Sequence, residues 1–524
     1  MKFSTLGRAS QGDYLIAQGS AVDEMCYASF RAPYWPLRVQ ERSLDVASVN
    51  NEGPSGLRAG ALGSFGVAAL GAVMMSPALG IYANLGLISA SAGRAAPAAF
   101  MAALLLTLPT AISYALIARE IPSAGSAYTW LSESINPIVG TWIGLLLVAT
   151  YFLCVILQPI LFGLFFNELL VALFGYQAGY GTWLIGVVIS TVLVSLLVYP
   201  GVEVSARGSI TLTVVEAVVV LALACTILVA CLRHGQIQFA PFNPATSLNG
   251  TRGFFHGLVF ALLSFGGFGV ITTAAEETHS PRDIIPRALV LACVFLGLFW
   301  ALTAWSFSIV LPEHAWADYV ARGTNPVAVV ARQYWGAGAV VVIVTALTAA
   351  LGVYLAAIVG YARVAYAMGR DGTLPAFFGR LHPKYQTPWN AQHVVLLTTL
   401  VVSAVWGRWL GLYLSYDWWG TAVVFFWIVS NIFVNVGCAV FFYRFRRPQF
   451  SWGWHGLVPL IGVGASSLPL YYSFGPDLWN AGWKAGQSII VFCLAVTALS
   501  AVYVIWLSHS RPEILRRPAR GTGP

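Results

Sequence analysis

The stretch Leu262–Gly269, LLSFGGFG, determines how the rest of the chain is organised. It lies within an apolar segment of residues 254–275 and places Gly266, Gly267 and Gly269 within four positions. Because each glycine costs about 1 kcal/mol in a helix relative to alanine, this stretch predicts an interrupted helix. At membrane depth, backbone outside a helix is tolerated only where it is buried in protein or lines a cavity.

The first apolar segment of the chain is interrupted in a similar way, by MMSPALG at Met74–Gly80. Pro77 has no backbone N–H, and its ring clashes with the preceding helical turn. Interrupted segments at corresponding places in two halves are the sequence pattern of a transporter with a binding site near the bilayer midplane. The first and sixth segments therefore predict such a site.

The composition excludes a soluble fold. Of the 524 residues, 58% are hydrophobic and only 9% are charged, whereas a soluble domain has about 25% charged residues. The net charge of +8 would suit a nucleic-acid partner, but the basic residues lie in short loops between apolar segments, as they do in membrane proteins. We therefore predict an all-α polytopic membrane protein in a lipid bilayer, with no nucleic-acid partner.

Twelve segments are long and apolar enough to cross roughly 30 Å of hydrocarbon as helices. They are 63–88, 96–118, 136–172, 182–199, 210–232, 254–276, 286–311, 337–369, 391–410, 420–444, 456–475 and 485–508. Most of the 28 Lys and Arg residues fall on one side of this topology, which predicts that both termini are cytoplasmic. The predicted location is the cytoplasmic membrane.

Two consecutive repeats of five helices must be inverted relative to each other, because an odd number of crossings reverses the direction of entry. We predict repeats at 63–232 and 254–444 within a transporter core of residues 61–445. The remaining parts are a disordered cytoplasmic tail (1–60, with Met25 as an alternative start), an extracellular amphipathic cap (312–336), helices 11–12 (446–510) and a cytoplasmic tail (511–524).

The two interruptions predict complementary binding chemistry. Free amides and the helix dipole near Ser76–Gly80 suit a carboxylate, although a simple proline kink explains this motif equally well. Free carbonyls near Ser264–Gly269 suit an ammonium group, and the Phe265 or Phe268 ring suits a cation; close helix packing is the alternative. The predicted substrate-binding residues are Met75, Ser76, Pro77, Ala78, Gly80, Tyr151, Ser264, Phe265, Gly266, Gly267, Phe268 and Gly269.

Ionisable residues within the apolar segments are few. Glu216 is the clearest, and a carboxylate there costs about 2.5–3.5 kcal/mol on insertion scales, so a function or a partner is expected. We predict a proton-coupling role, with a structural hydrogen bond as the alternative. Glu168 is expected at the membrane interface, and Tyr151 either donates into the site or only packs.

Four charged residues follow the sixth segment, at its predicted cytoplasmic end. We interpret Glu276 and Glu277 as forming ion pairs with Arg282 and Arg287 that hold an inner gate. Solvated loop charges are the alternative.

Other chemistry has little support in the sequence. The seven cysteines are scattered without a CxxC pair, and the eight histidines form no cluster, so we predict no metal site and no enzyme activity. No nucleotide-binding loop is present, so drive by ATP would require another subunit. We predict no cofactor, and a proton gradient as the driving force through Glu216. An amine sensor that does not transport would share these motifs, and oligomeric state is not predicted.

Three longer stretches are similar to the amino acid–polyamine–organocation permeases, and especially to their bacterial putrescine-importer branch. They are AREIPSAGSAYTWLSESINPIVG (Ala118–Gly140), FGGFGVITTAAEETHSPRDIIPRAL (Phe265–Leu289) and ARVAYAMGRDGTLPAFFGRLHPKYQTPWNA (Ala362–Ala391). The resemblance implies a leucine-transporter-like fold and alternating access for amino acids or amines. It also implies that Ser76, Pro77, Ala78, Gly80 and 265–269 line the site, and that Glu216 couples to protons.

The chain also departs from that branch. The putrescine-importer pattern has acidic residues where this chain has Thr150 and Gly269, and the family's commoner Gly-x-Gly is replaced here by SPALG. A dication without a carboxylate lacks a partner for its amines. We therefore favour a zwitterionic amino acid, with a putrescine-like polyamine or an exchange reaction as the alternative.

Overall fold

The computed structural model describes residues 64–175, 179–199, 202–321, 324–475 and 484–516. Within these ranges every long regular element is an α-helix. The predicted tail 1–60 and all but the beginning of the tail 511–524 lie outside the described residues. The helices are α1 Ser64–Met75, α2 Pro77–Tyr82, α3 Asn84–Ala92, α4 Ala96–Glu120, α5 Ala127–Ser134, α6 Pro137–Phe174, α7 Tyr180–Val198, α8 Val202–Arg233, α9 Gly250–Phe265, α10 Val270–Thr273, α11 Pro281–Val310, α12 Glu313–Ala321, α13 Pro326–Trp335, α14 Ala339–Arg370, α15 Trp389–Trp409, α16 Leu412–Phe445, α17 Val458–Phe474, α18 Lys484–Ser510 and α19 Pro512–Arg516.

Ten helical stretches among the described residues are long and apolar enough to cross a membrane. A shorter apolar stretch, Leu70–Tyr82, covers the first interruption. The chain is therefore a multi-pass helical membrane protein, as its composition predicted. The number of twelve crossings and the inverted repeat remain predictions.

The first apolar segment is interrupted at one residue. Helix α1 ends at Met75, and Ser76 adopts φ 33° and ψ 109° before Pro77 begins α2. A positive φ is strained for a non-glycine residue, and the Ser76 side chain stabilises this turn by accepting the Leu79 N–H at 3.2 Å. Ala83 stays in the helical region, so α2 and α3 continue as one half-helix.

The sixth segment is interrupted over four residues, between the end of α9 at Phe265 and the start of α10 at Val270. Tight turns replace helical hydrogen bonds here: Phe268 N–H donates to Phe265 O at 3.2 Å, and Val270 N–H donates to Gly267 O at 3.1 Å. The glycines thus interrupt the helix where the sequence predicted.

The two interrupted segments touch each other at Gly267. A Cβ atom added there would lie 3.0 Å from the backbone carbonyl of Met74. The glycine therefore permits close packing here, which agrees with the alternative explanation of this motif without excluding a place in the site. Helix α6 packs against α14 and α16.

The segment predicted as a cap over the pathway is helical, as α12 and α13. Asn325, which precedes α13, donates its side-chain amide to Tyr82 O at 2.7 Å. The cap is therefore joined directly to the end of α2.

Candidate substrate site

A small cavity of about 50 Å³ lies where the two interruptions meet. Small-molecule pockets usually measure about 300–1,000 Å³, so the site is nearly closed in this conformation. Six of the predicted substrate-binding residues line the cavity, namely Met75, Ser76, Gly80, Ser264, Gly266 and Gly267. We call it the central cavity.

The first interruption connects this cavity to a buried carboxylate. Ser76 Oγ donates to Glu216 Oε2 at 3.2 Å while accepting the Leu79 N–H. The Glu216 side chain is buried at 3% exposure. The structure therefore places Glu216 beside Ser76, although this contact alone also fits the structural hydrogen bond.

Few backbone amides remain free at the start of α2. Leu79 N–H is held by Ser76 Oγ, and Gly80 N–H donates to Ser76 O at 3.3 Å. Since Pro77 has no N–H, Ala78 supplies the amide that has no partner among the described residues. The expected group of free amides is thus reduced to one.

Gly80 has a different role from the expected one. A Cβ atom there would overlap the Trp300 indole, whose Nε1–H donates to Pro77 O at 3.1 Å. The glycine is therefore required by packing against α11, even though its backbone lines the central cavity.

Three polar residues of the site were missed in the sequence. Asn84 Nδ2 donates to Ser264 Oγ at 2.8 Å, and Tyr416 OH donates to Asn84 Oδ1 at 2.6 Å. This chain of hydrogen bonds joins α3, α9 and α16 at the central cavity. The available signal was an uncharged amide inside an apolar segment, which is weaker than the signal of a charged group.

Gln158 on α6 is the third missed residue. It lines the central cavity and is buried at 4% exposure. Its Oε1 atom has no hydrogen-bond partner among the described residues. An unpaired buried carbonyl is costly, so this oxygen is available to a donor on a ligand.

The two aromatic rings of the sixth interruption face away from the central cavity. Phe265 packs edge-on against Trp300, with ring centroids 5.1 Å apart. Phe268 packs against Tyr114 and Trp427 at 5.0 and 5.7 Å. In this conformation neither ring is offered to a cation in the central cavity, because both rings fill helix interfaces.

The other predicted residues also lie outside the cavity lining. Pro77 and Ala78 are buried at the start of α2, although both adjoin Ser76. A Cβ atom added to Gly269 would lie 3.4 Å from Tyr151 OH. Tyr151 and Gly269 therefore lie close to each other beside the cavity. Tyr151 is one helical turn from Cys154 on α6, and Cys154 does line the cavity.

The charged residues after the sixth segment pair differently from the prediction. Glu277 is bonded to Arg363, while Glu276 lies 3.6 Å from Arg370 and accepts the Ala124 N–H at 3.1 Å. Both arginines come from the last turns of α14, which pack beside residues 275–277. Burial raises the pKa of Glu277, and the Arg363 guanidinium opposes that shift.

Arg282 and Arg287 are exposed at the start of α11. Neither forms an ion pair with the two glutamates in the part of the chain that the structure describes. The predicted partners are therefore wrong, since the arginines that reach the two glutamates belong to α14.

Glu168, whose expected place at the membrane interface stays a prediction, lines a second, larger cavity. Its Oε1 accepts the Asn325 N–H at 3.1 Å and the Tyr413 OH at 3.4 Å.

For metals, the described residues contain no group of three or more His, Cys, Asp or Glu that could hold an ion.

The fold and the site together define a class of protein. A helical membrane protein whose first and sixth apolar segments are interrupted around a shared polar cavity is built as a secondary transporter.

The comparison with known proteins agrees with this class. Residues 62–512 match the amino acid permease family, and the chain belongs to it. It is 28% identical to the low-affinity putrescine importer PlaP of Escherichia coli (strain K12) over 65% of this chain and 73% of that one. It is 27% identical to the branched-chain amino acid permease BcaP of Bacillus subtilis (strain 168), over 63% of this chain and 71% of that one.

A third relative, the serine/threonine exchanger SteT of Bacillus subtilis (strain 168), is 22% identical over 79% of this chain and 90% of its own. The family and these relatives make the chain a secondary transporter of amino acids or related amines. The resemblance seen in the three sequence motifs is thus confirmed.

Proposed function

We propose that this permease binds one amino acid between the two interruptions and carries it across the cytoplasmic membrane by alternating access, together with a proton. The observation that supports this most is the central cavity, lined by Ser76 on one side and by Gly266 and Gly267 on the other. Ser76 also touches Glu216, the buried acid proposed to carry the proton.

The proposed orientation of the substrate follows from the free backbone groups. Its carboxylate meets the Ser76 hydroxyl, which lines the cavity, and the adjoining Ala78 N–H just behind that lining, at the positive end of the half-helix. Its ammonium meets the Gly266 carbonyl, because the Phe265 and Gly267 carbonyls already accept backbone hydrogen bonds. Gln158 Oε1 supplies a further acceptor.

The substrate class follows from the charge of the site. No charged side chain lines the central cavity among the described residues. A net-neutral zwitterion therefore enters without an uncompensated charge. A polyamine is the second candidate, favoured by the similarity to a putrescine importer.

The proposed proton coupling uses one hydroxyl with two orientations. Ionised Glu216 only accepts hydrogen bonds, so Ser76 donates to it. Once protonated, Glu216 donates to Ser76 Oγ instead, and the Ser76 hydroxyl proton turns to the substrate carboxylate. Proton and substrate binding therefore support each other.

The proposed topology has twelve crossings, two inverted five-helix repeats and cytoplasmic termini. It is supported by the ten described apolar helices, the interruptions five crossings apart and the excess of Lys and Arg on one side. The ion pairs around Glu276 and Glu277 then lie on the cytoplasmic side, where they are proposed to hold an inner gate.

Uptake into proteoliposomes tests this function. The purified protein is given labelled leucine, serine and putrescine in turn, with and without an inwardly directed proton gradient. We expect gradient-dependent uptake of an amino acid and little uptake of putrescine. Uptake of putrescine alone contradicts the substrate class, and specific binding without uptake of any compound indicates a sensor.

A further inference from the structure

A groove of about 570 Å³ runs along the surface of the described chain between α16 and α17. One of its walls is α16 from Asn435 to Val440, and the other is formed by residues 452–463. Apart from Asn435, the lining residues are apolar or glycine. We call it the lateral groove, and its volume is that of a small-molecule pocket.

A π-helical turn, Trp452–Leu457, forms part of the second wall and leads directly into α17. Such turns are rare and are frequently found at functional sites. Gly453 and Gly456 of this turn line the groove. Among the described residues, a Cβ atom added at Gly453 would have only Ser451 Oγ within 4 Å, at 3.8 Å. The turn therefore leaves open a space that a larger side chain would fill.

An unpaired arginine stands at the end of the lateral groove. Val436 and Val440 of α16 line it, and Arg444 follows at the same spacing of four residues, so all three share one face of the helix. The neighbouring Arg446 is paired with Glu120 at 3.0 Å. Arg444, by contrast, is exposed and forms no ion pair within the described ranges.

A second arginine is connected to the groove through aromatic rings. Arg447 lies over the Tyr443 ring, 5.4 Å from its centroid. Tyr443 packs against Phe450, and Phe450 packs against Trp452 of the groove wall, with ring centroids 5.8 and 5.4 Å apart. Arg447 also has no ion-pair partner in the part of the chain that the structure describes. Two positive charges therefore stand at one end of an apolar groove.

Two exposed tryptophans indicate that this end of the groove lies at a membrane surface. Trp452 is 78% exposed and Trp454 is 57% exposed, and tryptophan is enriched where hydrocarbon meets the lipid headgroups. From Phe445, where α16 ends, to Asn435 is ten residues, or about 15 Å of helix. That length is about half of the 30 Å hydrocarbon core, so the groove has the reach of one acyl chain in one leaflet.

We propose that the lateral groove binds an anionic phospholipid, with one acyl chain along α16 and the phosphate between Arg444 and Arg447. Guanidinium groups bind phosphate with paired hydrogen bonds, and basic pockets beside membrane helices take anionic headgroups. No acid among the described residues lines the groove. A second copy of the chain is the alternative occupant, but a symmetric contact through this face would bring like charges together.

Thermal unfolding of the full-length protein in detergent, titrated with dioleoylphosphatidylglycerol, tests the proposal. We expect a saturable rise in the unfolding midpoint. Dioleoylphosphatidylcholine has the same acyl chains without the net charge, and its half-saturating concentration should be about tenfold higher. Glycerol 3-phosphate, which has the phosphate without the chains, should give no shift at these concentrations.

Replacing both unpaired arginines tests the headgroup contact. The double variant Arg444→Gln/Arg447→Gln should raise the half-saturating concentration of phosphatidylglycerol about tenfold and bring it close to that of phosphatidylcholine. Arg287→Gln, which removes one exposed arginine at the start of α11, is the control and should titrate like the wild type.

Filling the groove tests the acyl-chain contact. Ala439→Phe places a ring in the lining of the groove and should abolish the saturable shift. Ala222→Phe, at an exposed alanine on α8 outside the groove, should leave the shift unchanged. If Ala439→Phe does not fold, Gly453→Leu fills the groove from the opposite wall, where the added Cβ has open space.

The proposal is overturned if the two phospholipids give equal shifts, or if the folded test variants titrate like the wild type. It is also overturned if light scattering shows that filling the groove turns a dimer into a monomer while the phosphatidylglycerol titration is unchanged, because the occupant is then a second copy. Lipid binding requires no transport, so amino acid uptake reports separately on the proposed function.

Discussion

At the scale of single residues, the site depends on a few polar atoms in an apolar surrounding. Ser76, at the first interruption, contacts Glu216 through its hydroxyl, and Gln158 offers an acceptor that nothing in the described chain uses. Ser76 and Glu216 were predictable, because polar groups interrupt apolar segments there. Gln158 was missed because an uncharged amide is a weaker signal than a carboxylate.

Replacing Glu216 with glutamine tests the coupling. The amide keeps the size of the side chain and its contact with Ser76 but cannot take up a proton. We expect proton-driven accumulation of the amino acid to be lost, while counterflow exchange across the membrane continues. Asp283→Asn, which removes an exposed acid at the start of α11, is the control. Gradient-driven accumulation that survives Glu216→Gln contradicts the assignment.

Replacing Gln158 with leucine tests its proposed contact with substrate. Losing a hydrogen bond to a charged ammonium costs about 1.5–3 kcal/mol, so we expect KM for the transported amino acid to rise tenfold or more. Gln392→Leu is a matched control, because its buried Oε1 is also unpaired and it lies on α15, outside the cavity lining. Equal KM values in the two variants would remove Gln158 from the site.

At the scale of elements, close packing and buried charge hold the two interrupted segments in place. Gly267 brings the sixth segment against Met74, and Arg363 on α14 is bonded to Glu277 just beyond α10. The sequence located the interruptions but not these partners. Which arginine reaches a glutamate depends on the rotation of α11 and α14 about their axes, which local patterns do not specify.

Gly267→Ala should push the interrupted segments apart. The added methyl meets backbone of Met74 at 3.0 Å, and such overpacking costs about 1–3 kcal/mol. We expect a lower thermal unfolding midpoint and reduced uptake. Gly464→Ala on α17 has open space around its Cβ, so its midpoint should be unchanged or slightly higher; equal effects would contradict the packing contact.

Arg363→Met should destabilise the protein strongly, because it leaves the Glu277 carboxylate buried without its partner. Breaking a buried ion pair on one side costs about 3–5 kcal/mol. The double variant Arg363→Met/Glu277→Leu should recover much of the loss, as measured by thermal unfolding. Arg282→Gln should have little effect. A large loss of thermal stability in Arg282→Gln, with no loss in Arg363→Met, would contradict this pairing and support the one expected from sequence.

At the scale of the whole molecule, hydrophobicity predicted the class of protein and the family motifs predicted its relatives. The positions of the interruptions were predictable because glycine and proline disfavour a continuous helix in any context. The larger cavity that Glu168 lines was not predictable, because Glu168 and Asp417 are 249 positions apart in the sequence and both line it only through the packing of α6 and α16. Its lining is a property of the assembled helices.

The central claim is that the two interruptions present free backbone groups to a solute. A cryo-EM structure of the protein with the amino acid that it transports tests this most directly. We predict ligand density between Ala78 and Gly266, with the carboxylate toward α2. Density confined to any other place, or first and sixth segments that are continuous helices with no space between them, would contradict the claim.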